Sequence, residues 1–151
     1  CSSDLEPCIV SYSDIFYSPA AVQSLIQCES PLAVTYDSNW LELWKQRFGD
    51  PLLDAETFRL NSAQTLAEIG NKPESVEEIQ GQYMGLLRFT PSGWCEVQRI
   101  RSTLTSEQCD KMHMTGTLQK VIDEGRLVIA ALAYEDEWGE VDSPDDLNSY
   151  N

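Results

Sequence analysis

Three short apolar runs constrain this chain most. Residues 8–13, 32–36 and 127–133 each have the length and composition of a buried strand. Between the first two, Ser18-Pro19 supplies a cap and a first-turn proline, and Val22, Leu25 and Ile26 follow at helical spacing. After Tyr36, Asp37-Ser38-Asn39 caps a second helix carrying Trp40, Leu43, Trp44 and Arg47, which ends at Phe48-Gly49-Asp50-Pro51. Strand, helix, strand, helix predicts an α/β chain with a parallel pair joined by a crossover.

The middle of the chain is less regular. Residues 56–60 and 65–69 alternate like the strands of an antiparallel excursion, with a turn at Gly70-Asn71-Lys72-Pro73. Residues 80–89 read as a strand with Gly81 and Gly85 near its start, a pattern that marks a bulge or a close approach. Ser92-Gly93-Trp94 opens a helix with Val97, Ile100, Arg101 and Leu104 at helical spacing, and residues 115–122 form another, stopped by Gly125. Beyond the third apolar run comes Trp138-Gly139-Glu140-Val141-Asp142. If it is extended, Trp138, Glu140 and Asp142 share one face. Ser143-Pro144-Asp145-Asp146 then starts a helix, with Ser143 as its cap. Carboxylates at a strand end are where α/β sheets place ligands. A solvated acidic strand end is the other reading of the same pattern.

With 151 residues and no repeats, low-complexity segments or linkers, one domain over residues 1–151 is the economical reading. The longest apolar stretch, residues 127–134, is far too short to span a membrane. The first residues lack the basic and apolar regions of a signal peptide. The chain also lacks an initiator methionine, which suits a processed or truncated product. Its net charge of −15, from 25 acids against 10 bases, argues against nucleic-acid or anionic-membrane partners. A nucleotide is also an anion, so binding one would need a divalent metal or bases supplied from elsewhere. The five cysteines have neither zinc-site spacing nor an accompanying histidine cluster, which predicts free thiols in a reducing cytoplasm.

Several stretches together resemble one family. They are Tyr12-Ser13-Asp14-Ile15, Tyr36-Asp37-Ser38-Asn39-Trp40, Asp54-Ala55-Glu56-Thr57-Phe58 and Ile69-Gly70-Asn71-Lys72. Further on come Gly81-Gln82-Tyr83-Met84-Gly85, Met114-Thr115-Gly116-Thr117-Leu118 and Trp138-Gly139-Glu140-Val141-Asp142. In order and spacing they resemble the C-terminal part of a nucleotidyltransferase of the phosphocholine cytidylyltransferase and sugar-phosphate nucleotidyltransferase type. The resemblance implies a three-layer α/β fold: a mixed, mostly parallel sheet with flanking helices, a truncated Rossmann-like nucleotidyltransferase fold. It implies that an acceptor oxygen attacks the α-phosphorus of a nucleoside triphosphate, CTP first among them, and that pyrophosphate leaves. Mg²⁺ would be held by Asp14 and Asp142, the family's two catalytic, metal-binding aspartates. The phosphorylated acceptor, such as phosphocholine or a sugar phosphate, would meet Trp138 and Glu140, with Tyr83, Asp37 and Trp40 nearby. For an ammonium head group, aromatic faces and a carboxylate are the physical solution. Trp138 and Tyr83 also read as core aromatics, and Asp14 as a turn residue.

Two departures from the family stand out. The N-terminal strand and the glycine-rich, arginine-bearing loop that grip the nucleotide have no counterpart in these residues. His113 stands where the family usually carries an acid; it is either a pH-sensitive member of the substrate site or a solvent-facing residue at a helix start. This chain alone is therefore expected to be inactive, and to form a homodimer through the sheet edge that truncation exposes. The alternative is a non-catalytic relative acting as a binding or oligomerisation module.

Overall fold

The structure, a computed structural model, describes residues 6–41, 52 and 55–141. The strands are β1 (Cys8–Ser11), β2 (Ile15–Tyr17), β3 (Leu32–Asp37), β4 (Phe58–Leu60), β5 (Leu66–Ile69), β6 (Gln82–Phe89), β7 (Ile129–Tyr134) and β8 (Trp138–Glu140). The helices are α1 (Pro19–Gln27), α2 (Pro91–Ser102), α3 (Ser106–Lys111) and α4 (Met114–Glu124). The central sheet has the order β1-β6-β3-β7. β6 runs antiparallel to both β1 and β3, whereas β3 and β7 are parallel. Three of the four strands therefore point the same way. Two small antiparallel pairs, β2–β8 and β4–β5, attach to it.

Side-chain alternation along the strands builds three layers. Leu32, Val34 and Tyr36 of β3 and Leu87 and Phe89 of β6 face a core shared with Val97 and Ile100 of α2 and Leu118 and Val121 of α4. Ala33 of β3 and Met84 and Leu86 of β6 face the other side, against Ala21 and Leu25 of α1. β3 is covered on both faces, which is why its run is apolar without alternation. The parallel pair expected from the first two apolar runs forms instead between β3 and β7, because β6 is inserted between β1 and β3.

The helix starts follow local chemistry. α1 begins with Ser18 as cap and Pro19 at its first position. α2 begins one step earlier than its sequence suggests. Thr90 is the cap, accepting from the Gly93 N–H at 3.2 Å, and its own N–H reaches the Pro31 carbonyl at 2.9 Å. α4 ends at Gly125, whose φ of 64° gives the left-handed turn that closes a helix. α3 was not anticipated. Its signal is a capping box in which Thr105 and Gln108 bond each other's backbone N–H groups.

Gly81, just ahead of β6, and Gly85 within it act as their positions suggest. Gly85 has φ +77°, and the register against β3 breaks between Val34 and Tyr36, opposite it. A Cβ on Gly81 would stand 2.3 Å from the Tyr36 ring. The helix expected to carry Leu43, Trp44 and Arg47 and the helix start at Ser143 both lie outside the described residues. Cys8, Cys28 and Cys109 are free thiols, as expected; Cys95 departs from that reading, being disulfide-bonded. Among the described residues no helix is long and apolar enough to cross a membrane.

Candidate acceptor and metal site

The β2–β8 pair brings the two distant acidic stretches together. Ile15 pairs with Glu140, Phe16 with Gly139 and Tyr17 with Trp138. One step further, the Val141 N–H donates to the Asp14 carbonyl at 2.8 Å. Asp14 is exposed at this junction. Asp142, the second aspartate expected at the metal, lies outside the described residues, but the residue before it is hydrogen-bonded to Asp14.

The Asp14 strand is positioned through Tyr12. Its N–H donates to the Gly85 carbonyl at 2.9 Å, extending the β1–β6 ladder past Ser11. Its ring packs edge-on against Tyr83, centroids 5.9 Å apart at 89°. A Cβ on Gly85 would stand 2.7 Å from the Tyr12 ring, so the bulge leaves room for that side chain. Burial raises the Tyr12 phenol above its ordinary range; the interaction with Tyr83 opposes this, and the charges of Glu56, Asp14 and Glu140 reinforce it. Tyr12 is thus the point where three carboxylates from different parts of the chain meet electrostatically.

Tyr83 is buried, and its hydroxyl has no hydrogen-bond partner of normal geometry among the described residues. Burial pushes the Tyr83 phenol well above its ordinary range, with contributions from Tyr12 and Glu56. The folded-state value lies above the unfolded one, so this group's contribution to stability is intact below about pH 10 and falls by about 1.4 kcal/mol per pH unit above it. Urea titrations between neutral pH and pH 11 should show this alkaline loss, and Tyr83→Phe should reduce its slope.

The remaining expected site residues are placed differently. Trp138 is 5% exposed and Asp37 4% exposed, and the indole N–H donates to Asp37 Oδ2 at 2.9 Å. Asp37 Oδ1 accepts from the Asn39 N–H at 2.7 Å. Trp40 is buried, donating its ring N–H to the Ile79 carbonyl at 3.1 Å. These three side chains are buried and hydrogen-bonded between β8, the end of β3 and Ile79, which matches the core-packing reading that the sequence also offered for Trp138 and Trp40. His113 is exposed as the N-cap of α4 and makes no side-chain cap bond. Asp14, Tyr83 and Glu140 are brought together. Tyr12 and Glu56 join them without having been singled out, although both lie within the stretches that carry the family resemblance.

Of the pair expected to hold Mg²⁺, Asp14 is described and exposed. Mg²⁺ is a hard cation that takes one or two carboxylates and completes its shell with water and phosphate oxygens. Among the described residues no three acidic, histidine or cysteine side chains form a cage, and Mg²⁺ does not require one.

Comparison with known proteins bears on the family and the fold. No family model matches the chain. The CTP:phosphoglutamine cytidylyltransferase of Campylobacter jejuni subsp. jejuni is 33% identical over 153 residues, covering 97% of this chain and 60% of its own length. The inositol-1-phosphate CTP transferase from T. maritima superposes with a TM-score of 0.71 at 19% identity, covering 97% of this chain and 54% of its own. The nucleoside-diphosphate-sugar pyrophosphorylase from Vibrio cholerae RC9 gives 0.60 at 14% identity, with 95% and 55% covered. The two structures share the fold, and the chain spans less than two thirds of each relative. In sequence and fold together, the chain is similar to part of a nucleotidyltransferase of the cytidylyltransferase type.

Proposed function

We propose that residues 1–151 form one domain, the acceptor- and metal-facing portion of a nucleotidyltransferase that moves a nucleotidyl group, from CTP in the first instance, to a phosphorylated small molecule such as phosphocholine or a sugar phosphate. The observation that carries this reading is the β2–β8 junction, where Val141 is bonded to Asp14 and Asp142 follows directly. When bound, Mg²⁺ spreads the negative charge that develops on the phosphates; Asp14 and Asp142 would hold it. Glu140, Glu56 and the exposed ring of Tyr12, backed by the buried Tyr83, would face the acceptor and favour a cationic head group, since cation–π contacts contribute about 0.5–2 kcal/mol each. Asp37 and Trp138 act as positioning residues through β8.

A triphosphate needs positive charge to hold it, and the chain carries 10 bases against 25 acids. The 151-residue chain alone is therefore inactive and forms a homodimer through an open sheet edge. Free thiols at Cys8, Cys28 and Cys109 support a cytoplasmic setting, and the disulfide at Cys95 opposes it. Purified chain with CTP, Mg²⁺ and phosphocholine should release no pyrophosphate. A fusion carrying, ahead of Cys1, the part of the Campylobacter relative that this chain does not span should release it, and Asp14→Asn in that fusion should reduce the rate at least 100-fold. A fusion that folds but stays silent with phosphocholine, phosphoglutamine and sugar phosphates alike would overturn the reading in favour of a non-catalytic module.

A further inference from the structure

Tyr83 is 7% exposed, yet its buried phenol ends in a hydroxyl with no hydrogen-bond partner among the described residues. An orphaned polar group inside a protein is rare and asks for a reason. Other buried polar side chains around it are satisfied. The Thr35 hydroxyl donates to the Leu86 carbonyl at 3.0 Å, and the Trp138 indole to Asp37 at 2.9 Å. The groups that act on the Tyr83 hydroxyl place it beside the candidate site. They are Tyr12 and Glu56, and Glu56 acts on Tyr12 as well, together with Asp14 and Glu140. The two tyrosine rings meet edge-on, with centroids 5.9 Å apart. Tyr12 is the exposed member of the pair, at 38%, and Tyr83 the covered one.

We propose that the Tyr83 hydroxyl is a specificity-determining donor of the acceptor site: once the Tyr12 ring turns outward, it donates to an uncharged oxygen, hydroxyl or carbonyl, in the acceptor's head group. The inference rests on the acceptor reading given above and adds a requirement on the head group. The donors and acceptors present select this class. Carboxylates accept hydrogen bonds and donate none, so Tyr83 supplies the O–H that Asp14, Glu56 and Glu140 lack. Burial keeps its phenol protonated, so it presents a donor and not a phenolate. Charge alone draws any cation to this place. A quaternary ammonium has neither an N–H nor a lone pair, so it leaves the hydroxyl as unpaired as before. A further carboxylate would be repelled by the three already there. An uncharged oxygen pairs with the hydroxyl, and a site holding a buried donor discriminates strongly against an analogue that lacks the matching acceptor.

Calorimetric titration of the 151-residue chain with three phosphate esters in the presence of Mg²⁺ tests this. Phosphocholine carries no oxygen beyond its phosphate, glucose 1-phosphate offers hydroxyls, and O-phospho-N-acetylethanolamine offers a carbonyl. At least one of the last two should bind at least tenfold more tightly than phosphocholine, and which one does so identifies the oxygen. Tyr83→Phe should weaken that ligand at least tenfold and change phosphocholine less than twofold. Its urea midpoint at neutral pH should not fall, because the variant loses no hydrogen bond made inside the protein. Equal affinity for all three esters would overturn the assignment of Tyr83 and leave the acceptor reading in place. So would a preference that survives in Tyr83→Phe, phosphocholine weakened as much as the others, or a lowered urea midpoint. Binding of none of the three to either protein would overturn the acceptor reading itself, and this inference with it.

Discussion

Trp138→Ala is expected to lower the stability of this chain by about 3–5 kcal/mol, the range for removing a large buried aromatic side chain. Trp138 sits in the core beneath α1 with Tyr134, Met84 and Leu86. Its removal would leave a cavity the strands cannot close. It would also take from the buried Asp37 carboxylate one of the two hydrogen bonds it accepts among the described residues, leaving the one from the Asn39 N–H. A polar group left short inside a protein adds roughly 1–3 kcal/mol of its own. Trp138→Phe separates the two effects, since it fills most of the space and loses only the hydrogen bond. Urea denaturation of the three proteins measures both. A loss under 1 kcal/mol for the alanine variant would mean that the indole faces a ligand and not the core.

Gly85→Val should be nearly as damaging, and for a reason that reaches the candidate site. The backbone there has φ +77°, a conformation that costs an ordinary residue roughly 1–2 kcal/mol and a β-branched one more. The new Cβ would also stand 2.7 Å from the Tyr12 ring, and overpacking of that kind adds about 1–3 kcal/mol. The expected total is about 3 kcal/mol or more by denaturation. Tyr12 would have to leave its place against Tyr83, shifting the strand that carries Asp14. Gly125→Val tests the reasoning from the other side. It also has positive φ, at 64°, but a Cβ there meets nothing within 4 Å, so only the backbone term should appear.

The layered fold was legible because burial leaves a period in the sequence. The apolar runs at β1, β3 and β7 and the spacing of Val97 and Ile100 or Leu118 and Val121 each announce their element. The order of strands was not legible. Nothing in residues 82–89 says that β6 inserts antiparallel between β1 and β3, since that depends on contacts far apart in sequence. At the candidate site, Asp14 and Glu140 stood out in the sequence because acids at strand ends are conspicuous. Trp138 read equally as a ligand contact or a core aromatic, because hydrogen-bonding Asp37 inside the core uses the same residue types as binding a head group. Tyr12 was passed over because its role comes from packing against Tyr83 and Gly85, neither of which is its neighbour in the chain.

Whether the acids at 14 and 142 share one divalent cation is tested most directly by Mn²⁺ titration, followed through the broadening of backbone amide signals. At substoichiometric Mn²⁺ the signals of residues 12–15 and 140–142 should broaden first and together. Asp14→Asn and Asp142→Asn should each shift that effect to at least tenfold higher Mn²⁺. Broadening centred elsewhere on this acidic surface, or left unchanged by both substitutions, would contradict a shared site.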